Sequence, residues 1–261
     1  MGEAFLTRGW ARFGPDPLIR TWADAARKAG RAAMRDPAFS MQHVCEGTWF
    51  VGLDALPNDP SGAIDGVPLA GAGLDRITKL TGPLPPLHRA QVSTVFPGYP
   101  RPRAGEGAGA FRYRQNRDAA HLDGLLPEGP ERRRRIAEPH GFILGLPLTE
   151  ASPDAAPLVV WEGSHQVLRD ALRAALAPHD PATWDQIDVT DAYQAARRTV
   201  FDSCPRIELP ARPGEALLLH RMALHGVAPW AQGASAPPEG RMIAYFRPLM
   251  PGGVVDWLGA P

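Results

Sequence analysis

The chain has 261 residues, and its 28 basic and 28 acidic side chains leave no formal net charge at pH 7. Such a chain has no general electrostatic attraction for nucleic acid or an anionic membrane, so we expect neither partner. No segment approaches the ~20 apolar residues that span a bilayer, and the first residues lack the apolar core of a signal peptide. Only two cysteines occur, Cys45 and Cys204, which favours a reduced, cytoplasmic protein.

Turn-forming residues are abundant, with 27 glycines and 29 prolines. Strong apolar runs separate them, which favours a β-rich fold with short strands over disorder. We find no internal repeat and no linker. Residues 1–261 are therefore predicted to form a single domain, with a helical N-terminal part over about 1–40 and a barrel over about 41–250.

The N-terminal part contains one clear helix signal. Asp16 is a preferred N-cap residue, and Pro17 suits the first helical position. Leu18, Trp22 and several alanines then recur at helical spacing as far as Ala33, which predicts an amphipathic helix.

From residue 41 the pattern predicts strands and loops. Strands are predicted at 41–53, 88–96, 111–116, 140–150, 157–165, 206–230 and 241–250, with loops at 57–71 and 97–109 and helices at 73–82, 166–176 and 189–201. This order indicates a mainly β (α+β) protein. We expect a jelly roll or cupin-like barrel of antiparallel strands, with flanking N-terminal and inserted helices.

Two stretches carry residues that can bind a metal. His121 and Asp123 are two apart, so on a strand they share a face. The stretch 214–226 adds His220 and His225. Two histidines and one carboxylate on one side of an octahedral ion leave three positions open, which is the arrangement of non-haem Fe(II) oxygenases. A surface His–Asp hydrogen bond is the alternative.

An arginine follows at a suitable place for a dicarboxylate cosubstrate. Arg241 begins the last predicted strand, 16 residues after His225. A guanidinium can hold a carboxylate through two parallel hydrogen bonds, so Arg241 could bind the far end of 2-oxoglutarate. Arg247 is the second choice.

Taken in order, His121-x-Asp123, PLVVWEGSH (157–165), GEALLLHRMALHG (214–226) and Arg241 in RMIAYFRP resemble the phytanoyl-CoA dioxygenase family of Fe(II)/2-oxoglutarate-dependent oxygenases. The resemblance covers roughly residues 88–250. It implies a double-stranded β-helix, with Fe(II) on the catalytic residues His121, Asp123 and His225. It also implies that Arg241 binds 2-oxoglutarate and that dioxygen is the second cosubstrate.

The implied reaction is hydroxylation of a small molecule, with release of succinate and CO2. Desaturation and epimerisation use the same iron centre, while the presence of Asp123 disfavours halogenation. Arg132–Arg135 either recognise an anionic substrate or form a solvated loop or helix face. Two other classes stay open, a cupin-like metalloenzyme that does not use 2-oxoglutarate and a catalytically degenerate binding module.

Further residues of the approach to His121 are candidates for cosubstrate binding. If 111–116 is a barrel strand, one of its faces points inward, and buried polar side chains need a partner. One of Tyr113, Arg114 and Gln115 is therefore predicted to contact cosubstrate or substrate, and Tyr113 and Gln115 are the candidates for cosubstrate binding. Loops 57–71 and 97–109 are either lids or plain surface loops, and the sequence does not indicate an oligomeric state.

Overall fold

The computed structural model describes residues 2–260. Its helices are α1 (Gly2–Arg8), α2 (Pro17–Ala33), α3 (Ala72–Thr81), α4 (Ala108–Asn116), α5 (Ser164–Leu176), α6 (Thr190–Ser203) and α7 (Gly253–Gly259). Its strands are β1 (Trp10–Phe13), β2 (His43–Val44), β3 (Trp49–Phe50), β4 (Gln91–Val95), β5 (Leu125–Glu128), β6 (Arg133–Ile136), β7 (Phe142–Pro147), β8 (Leu158–Trp161), β9 (Arg206–Leu209), β10 (Ala216–His220), β11 (His225–Val227) and β12 (Arg241–Phe246). Over 2–260, no helix is long and apolar enough to cross a membrane.

The strands form a large sheet, a small sheet and a hairpin. The large sheet has seven strands in the order β1-β10-β7-β12-β4-β3-β2, and the small sheet has the order β11-β8-β9. Strands β5 and β6 pair with each other. Every strand pairing is antiparallel. The predicted combination of antiparallel sheet with flanking helices is confirmed, and closure into a double-stranded β-helix stays a prediction.

Helix α2 covers the outer face of the large sheet. The Asp16 carboxylate accepts hydrogen bonds from the backbone N–H groups of Leu18 and Ile19, at 2.8 and 3.4 Å, so the predicted N-cap is confirmed. Trp22 is fully buried and belongs to the same apolar cluster as Met242 and Ala244 of β12. This packing turns one face of β12 toward helices and leaves the other face for the interior between the sheets.

The interior between the two sheets is lined by alternate residues of their strands. On β12, Ile243 and Tyr245 belong to a buried cluster that includes Leu158 and Val160 of β8. Side chains alternate between the faces of a strand, so Arg241 begins the same inward face. The predicted strand at 241–250 therefore supplies the interior with both apolar and polar groups.

Helices α5, α6 and α7 pack behind the small sheet. Val159 and Trp161 of β8 point to this side and share a buried cluster with Leu172 of α5, Tyr193 of α6 and Trp257 of α7. The small sheet is thus enclosed between the large sheet and these inserted and C-terminal helices.

The structure corrects three predictions of local structure. Residues 111–116, predicted as a strand, lie in α4, where the N–H of Arg117 bonds to the carbonyl of Tyr113 in helical fashion. The residue of this region that pairs with β11 is His121, through an isolated bridge to His225. The N-terminal part is not only helical, since β1 pairs with β10. The arginine run at 132–135 is mostly in β6 rather than in a loop.

Candidate metal centre

One β-bridge brings the predicted ligands together across 104 residues of sequence. The N–H of His121 donates to the carbonyl of His225 at 2.8 Å, and the N–H of His225 donates back at 3.1 Å. Paired residues in an antiparallel bridge project their side chains to the same side. The two imidazole rings accordingly lie 4.5 Å apart between their centroids.

The bend before His121 is held by its own contacts. Asp118 and Ala119 both have left-handed backbone, with φ of 53° and 52°, which is uncommon for residues other than glycine. The buried Asp118 carboxylate accepts two hydrogen bonds from Arg206, at 2.7 and 2.9 Å. Its carbonyl accepts from the N–H of Val227 at 2.9 Å. These bonds fix the segment that carries His121 against β11.

The third member of the group, Asp123, faces both histidines. Its Oδ1 lies 3.2 Å from Nε2 of His121, and its Oδ2 lies 3.7 Å from Nε2 of His225. One ligand atom from each residue can be chosen so that all lie within 4.8 Å of one another. His225 and Asp123 are buried, whereas the His121 side chain is 48% exposed. The group is therefore open to solvent on the His121 side.

Backbone hydrogen bonds orient both imidazoles toward this group. Nδ1 of His121 lies 3.0 Å from the carbonyl of Ala119, and Nδ1 of His225 lies 2.9 Å from the carbonyl of Ala223. A carbonyl only accepts, so we assign the proton of each neutral ring to Nδ1. Each Nε2 then presents a lone pair to the Asp123 carboxylate. Three acceptors that converge in this way suit a cation, and the donor set fits a divalent metal such as Fe(II).

Burial and neighbouring charges set the protonation of the group. Burial lowers the pKa of His225 to about 4, although Asp123 opposes the shift. Burial acts to raise the pKa of Asp123, but the neighbouring His225, His121 and Arg247 together hold it well below its usual range. At neutral pH the group therefore offers a neutral buried imidazole and an ionised carboxylate, the forms that bind metals.

Arg247 lies directly beside Asp123. Its Nη1 donates to Oδ2 of Asp123 at 3.2 Å, and its Nη2 donates to the side-chain oxygen of Gln91. Gln91 is fixed in turn by a 2.9 Å hydrogen bond to the carbonyl of Val51. The second-choice arginine of the sequence is thus the one that contacts the triad, and it restrains the orientation of Asp123.

Arg241 is buried at the other end of β12, with unused donors. Its Nη2 donates to the carbonyl of Ala156, while Nε and Nη1 are buried without a hydrogen-bond partner among residues 2–260. The buried hydroxyl of Tyr245 also lacks one there. Burial raises the pKa of Tyr245, Arg241 opposes this, and Asp123 adds to it. Arg241, Tyr245 and Asp123 thus share one electrostatic environment.

These free donors fit a carboxylate. A carboxylate has only acceptor oxygens and can take a bidentate pair of bonds from a guanidinium. Buried polar groups are nearly always hydrogen-bonded in folded proteins, so the unused donors of Arg241 and Tyr245 indicate a place for an acceptor ligand. Gly145 leaves room for the Tyr245 ring, because a Cβ there would lie 2.9 Å from Cε1 of that ring.

The other sequence candidates lie elsewhere. The Tyr113 hydroxyl donates to the carbonyl of Ala120 at 2.7 Å, and Gln115 is exposed on α4. The premise of an inward strand face is wrong for both, and their contact with a cosubstrate stays a prediction. His220 is buried beside His165, 4.7 Å between ring centroids, and is not part of the metal-binding group.

Two polar residues of the interior are not predicted from the sequence. Tyr245 follows Arg241 by four positions on β12, and Gln91 lies opposite Tyr245 on β4. The alternation that assigns Arg241 to the inner face would also have placed Tyr245 there. Gln91 could not have been found in this way, because its relation to Arg247 depends on the pairing of β4 with β12.

Comparisons with known proteins give distant likenesses. No protein-family model matches the chain, and no curated protein matches its sequence. Among solved structures, the chain is similar to the non-heme alpha ketoglutarate dependent carbocyclase SnoK from nogalamycin biosynthesis, with 15% identity, a TM-score of 0.49, and coverage of 98% of this chain and 87% of that one. It is also similar to AviO1 from Streptomyces viridochromogenes Tue57, with 17% identity, a TM-score of 0.48, and coverage of 97% and 94%. A third similar structure is that of EctD from S. alaskensis, solved with 2-oxoglutarate and 5-hydroxyectoine. It has 15% identity and a TM-score of 0.43, with coverage of 97% of this chain and 78% of that one. The function is therefore inferred from the residues of this chain.

Proposed function

We propose that the protein is a non-haem Fe(II)/2-oxoglutarate-dependent oxygenase that acts on a small molecule. The observation that carries the proposal is the group of His121, Asp123 and His225, whose ligand atoms converge within 4.8 Å and are open on one side. In this proposal the three residues bind Fe(II). Bound Fe(II) and 2-oxoglutarate supply an oxidation by dioxygen that releases succinate and CO2.

The protein would bind iron by orienting the two imidazoles and by supplying the negative charge of Asp123. The Nδ1–H bonds to Ala119 and Ala223 hold the two imidazoles with Nε2 toward the metal position. Asp123 offsets part of the metal charge, and Arg247 holds its Oδ2. This support around the ligands is what metal sites need for affinity and geometry.

The proposed 2-oxoglutarate site lies between the triad and Arg241. The two free guanidinium nitrogens of Arg241 and the Tyr245 hydroxyl would hold the far carboxylate of the cosubstrate. The inward residues of β12 run from Arg241 toward Arg247, which contacts Asp123. The chelating end of 2-oxoglutarate would therefore face Asp123. Contacts of Tyr113 and Gln115 with the cosubstrate remain separate predictions.

The exposed side of His121 is the proposed entrance. His225 is buried among β-strands, whereas nearly half of the His121 side chain is exposed. Substrate and dioxygen would therefore approach the centre past His121. Hydroxylation is the reaction we propose. We also propose that residues 1–261 form a single domain with a double-stranded β-helix fold, and that the protein is cytoplasmic. The terminal residues 1 and 261 lie outside the described part.

The test is an anaerobic titration of the metal-free protein with Fe(II) and then with 2-oxoglutarate. An Fe(II) complex with a chelating 2-oxoacid has a weak visible absorption band. We expect the band in the wild type, its loss in Asp123→Ala, and a raised 2-oxoglutarate requirement in Arg241→Ala and Tyr245→Phe. Asp170→Ala on α5 and Arg112→Ala on α4 are matched controls, since both side chains are exposed.

The outcomes separate the proposal from its two alternatives. Stoichiometric Fe(II) uptake with no band at saturating 2-oxoglutarate would indicate a metalloenzyme that does not use this cosubstrate. Absence of metal uptake in a folded protein would indicate a binding module. Equal loss of iron and 2-oxoglutarate binding in Arg241→Ala would contradict the role given to Arg241, because this residue should act on the cosubstrate alone.

A further inference from the structure

Behind the His121 segment, three arginines lie against three aromatic rings. The guanidinium carbon of Arg197 lies 4.8 Å from the ring centroid of Tyr113 and 5.4 Å from that of Tyr193. Arg134 lies 5.4 Å from the Tyr193 centroid. Arg117 lies 4.7 Å from the centroid of Phe201. Tyr113 lies in α4, Arg117 directly after it, Arg134 in β6, and the other three residues in α6. We call these six residues the arginine–aromatic cluster.

The arginines of this cluster lack acidic partners. Nine other arginines of residues 2–260 form salt bridges, but Arg117, Arg134 and Arg197 form none there. Nearby carboxylates are already bound: Asp118 pairs with Arg206, and Asp188 binds Thr190 and Arg133. The cluster therefore carries uncompensated positive charge.

Partial burial makes the charges of Arg134 and Arg197 costly, whereas Arg117 is exposed. Arg134 is half-buried, and its Nη1 donates to the carbonyl of Leu125 at 2.6 Å. Burial lowers the pKa of Arg134, and the charges of Arg197 and Arg132 lower it further. Like charges held together in a partly dry place repel each other. An anion at the cluster would offset this repulsion and accept hydrogen bonds from the guanidinium groups.

The cluster is also bonded to the backbone on both sides of His121. The Tyr113 hydroxyl donates to the carbonyl of Ala120 at 2.7 Å, and the Tyr193 hydroxyl accepts from the N–H of Leu122 at 3.3 Å. Ala120 and Leu122 are buried toward this side, whereas His121 projects toward Asp123. The cluster is thus separate from the metal centre, on the opposite side of the same segment.

We propose that the arginine–aromatic cluster is a binding site for the phosphate or carboxylate group of a small molecule, distinct from the metal centre. Guanidinium groups bind both anions in bidentate fashion, and the aromatic rings pre-orient the arginines by cation–π contact. The anion would hold Arg134 and Arg197 against Tyr193, and so steady the backbone next to His121. This site does not depend on the proposed oxygenase activity.

The test is calorimetric titration of the metal-free protein with pyrophosphate and, separately, with succinate. The variants are Arg134→Gln and Arg197→Gln. The control is Arg198→Gln, the next residue on α6, which is exposed and forms no salt bridge within residues 2–260. Loss of a charge-assisted hydrogen bond should weaken binding by about 10-fold in each variant. We expect no more than a two-fold change (roughly, from charge alone) in the control.

The two probes distinguish a phosphate ligand from a carboxylate ligand, and saturable binding of either one supports the site if Arg134 and Arg197 are needed. Two results would overturn it. One is the absence of saturable binding of both probes to the wild type at millimolar concentration. The other is an equal effect of Arg197→Gln and Arg198→Gln, which would mean unspecific attraction to α6. Thermal unfolding of each variant shows that it is folded under the conditions of the titration.

Discussion

Gly226 follows His225, and the structure leaves no space for a side chain on it. A Cβ at this position would lie 2.2 Å from the carbonyl oxygen of Asp118, whereas contacts under 3.0 Å are essentially never seen. In Gly226→Ala the segment before His121 must therefore move away from β11 by at least 0.8 Å, the difference between those two distances. Metal sites tolerate deviations of about 0.2 Å in ligand distance. The substitution should thus separate His121 from His225.

We expect Gly226→Ala to weaken metal binding by about 10- to 100-fold, comparable with the loss of an outer contact of a metal ligand. The added methyl group should also destabilise the fold by about 1–3 kcal/mol. The assay is titration with Co(II), followed by visible absorption, beside urea unfolding of the same samples. The control is Gly14→Ala, where a Cβ would meet nothing within 4 Å. A folded Gly226→Ala protein with the wild-type Co(II) affinity would refute the reasoning.

Three further predictions concern single side chains. Arg247→Met removes the donor to Oδ2 of Asp123, and we expect Co(II) affinity to fall by about 10-fold or more in the same titration; an unchanged affinity would contradict the restraint on Asp123. Asp16→Ala removes the N-cap of α2 and should cost about 1 kcal/mol in urea unfolding at pH 7. Burial acts to raise the pKa of Asp16, but backbone hydrogen bonds hold it below the ordinary 3.8. Its charge therefore stabilises the fold above that value and ceases to do so as the pH falls through the lower folded-state pKa. The difference in free energy of unfolding between wild type and Asp16→Ala should accordingly become smaller near pH 3. A difference that does not change with pH would argue against the charge effect. Arg206→Gln leaves the buried Asp118 carboxylate without its bidentate partner, and we expect a loss of about 1–3 kcal/mol by thermal unfolding. Arg198→Gln, exposed on α6, should leave the unfolding midpoint unchanged.

Local signals in the sequence predicted the helices with strong caps and the strands with strong alternation. Asp16 and Pro17 predicted the start of α2, and the apolar alternation around 241–246 predicted β12. The sequence does not predict the helical state of 111–116, because a short polar run with two aromatic residues, Phe111 and Tyr113, has no clear period. Its helical state follows from tertiary contacts, such as the buried ion pair of Arg114 with Glu106.

The order of motifs in the sequence predicts that the three triad residues lie close together. It does not predict the neighbouring residues that hold them in place. The order of His121, Asp123 and His225 suffices to predict their proximity once a family resemblance is seen. The contact of Arg247 with Asp123 depends on where β12 ends relative to the bend at Asp123. The crowding at Gly226 depends on the left-handed backbone of the segment opposite. Both contacts join residues more than 100 positions apart, and they cannot be predicted from residue spacing in a single sequence.

The unequal exposure of the two histidines has a consequence for how a metal ion would exchange. His225 and Asp123 are buried, whereas His121 is half in solvent and lies on an isolated bridge rather than within a strand. The bond to His121 would then be the last to form as an ion enters and the first to break as it leaves. Chelators would reach the ion by the same opening as the substrate. A substrate seated beside His121 should therefore slow the removal of the metal.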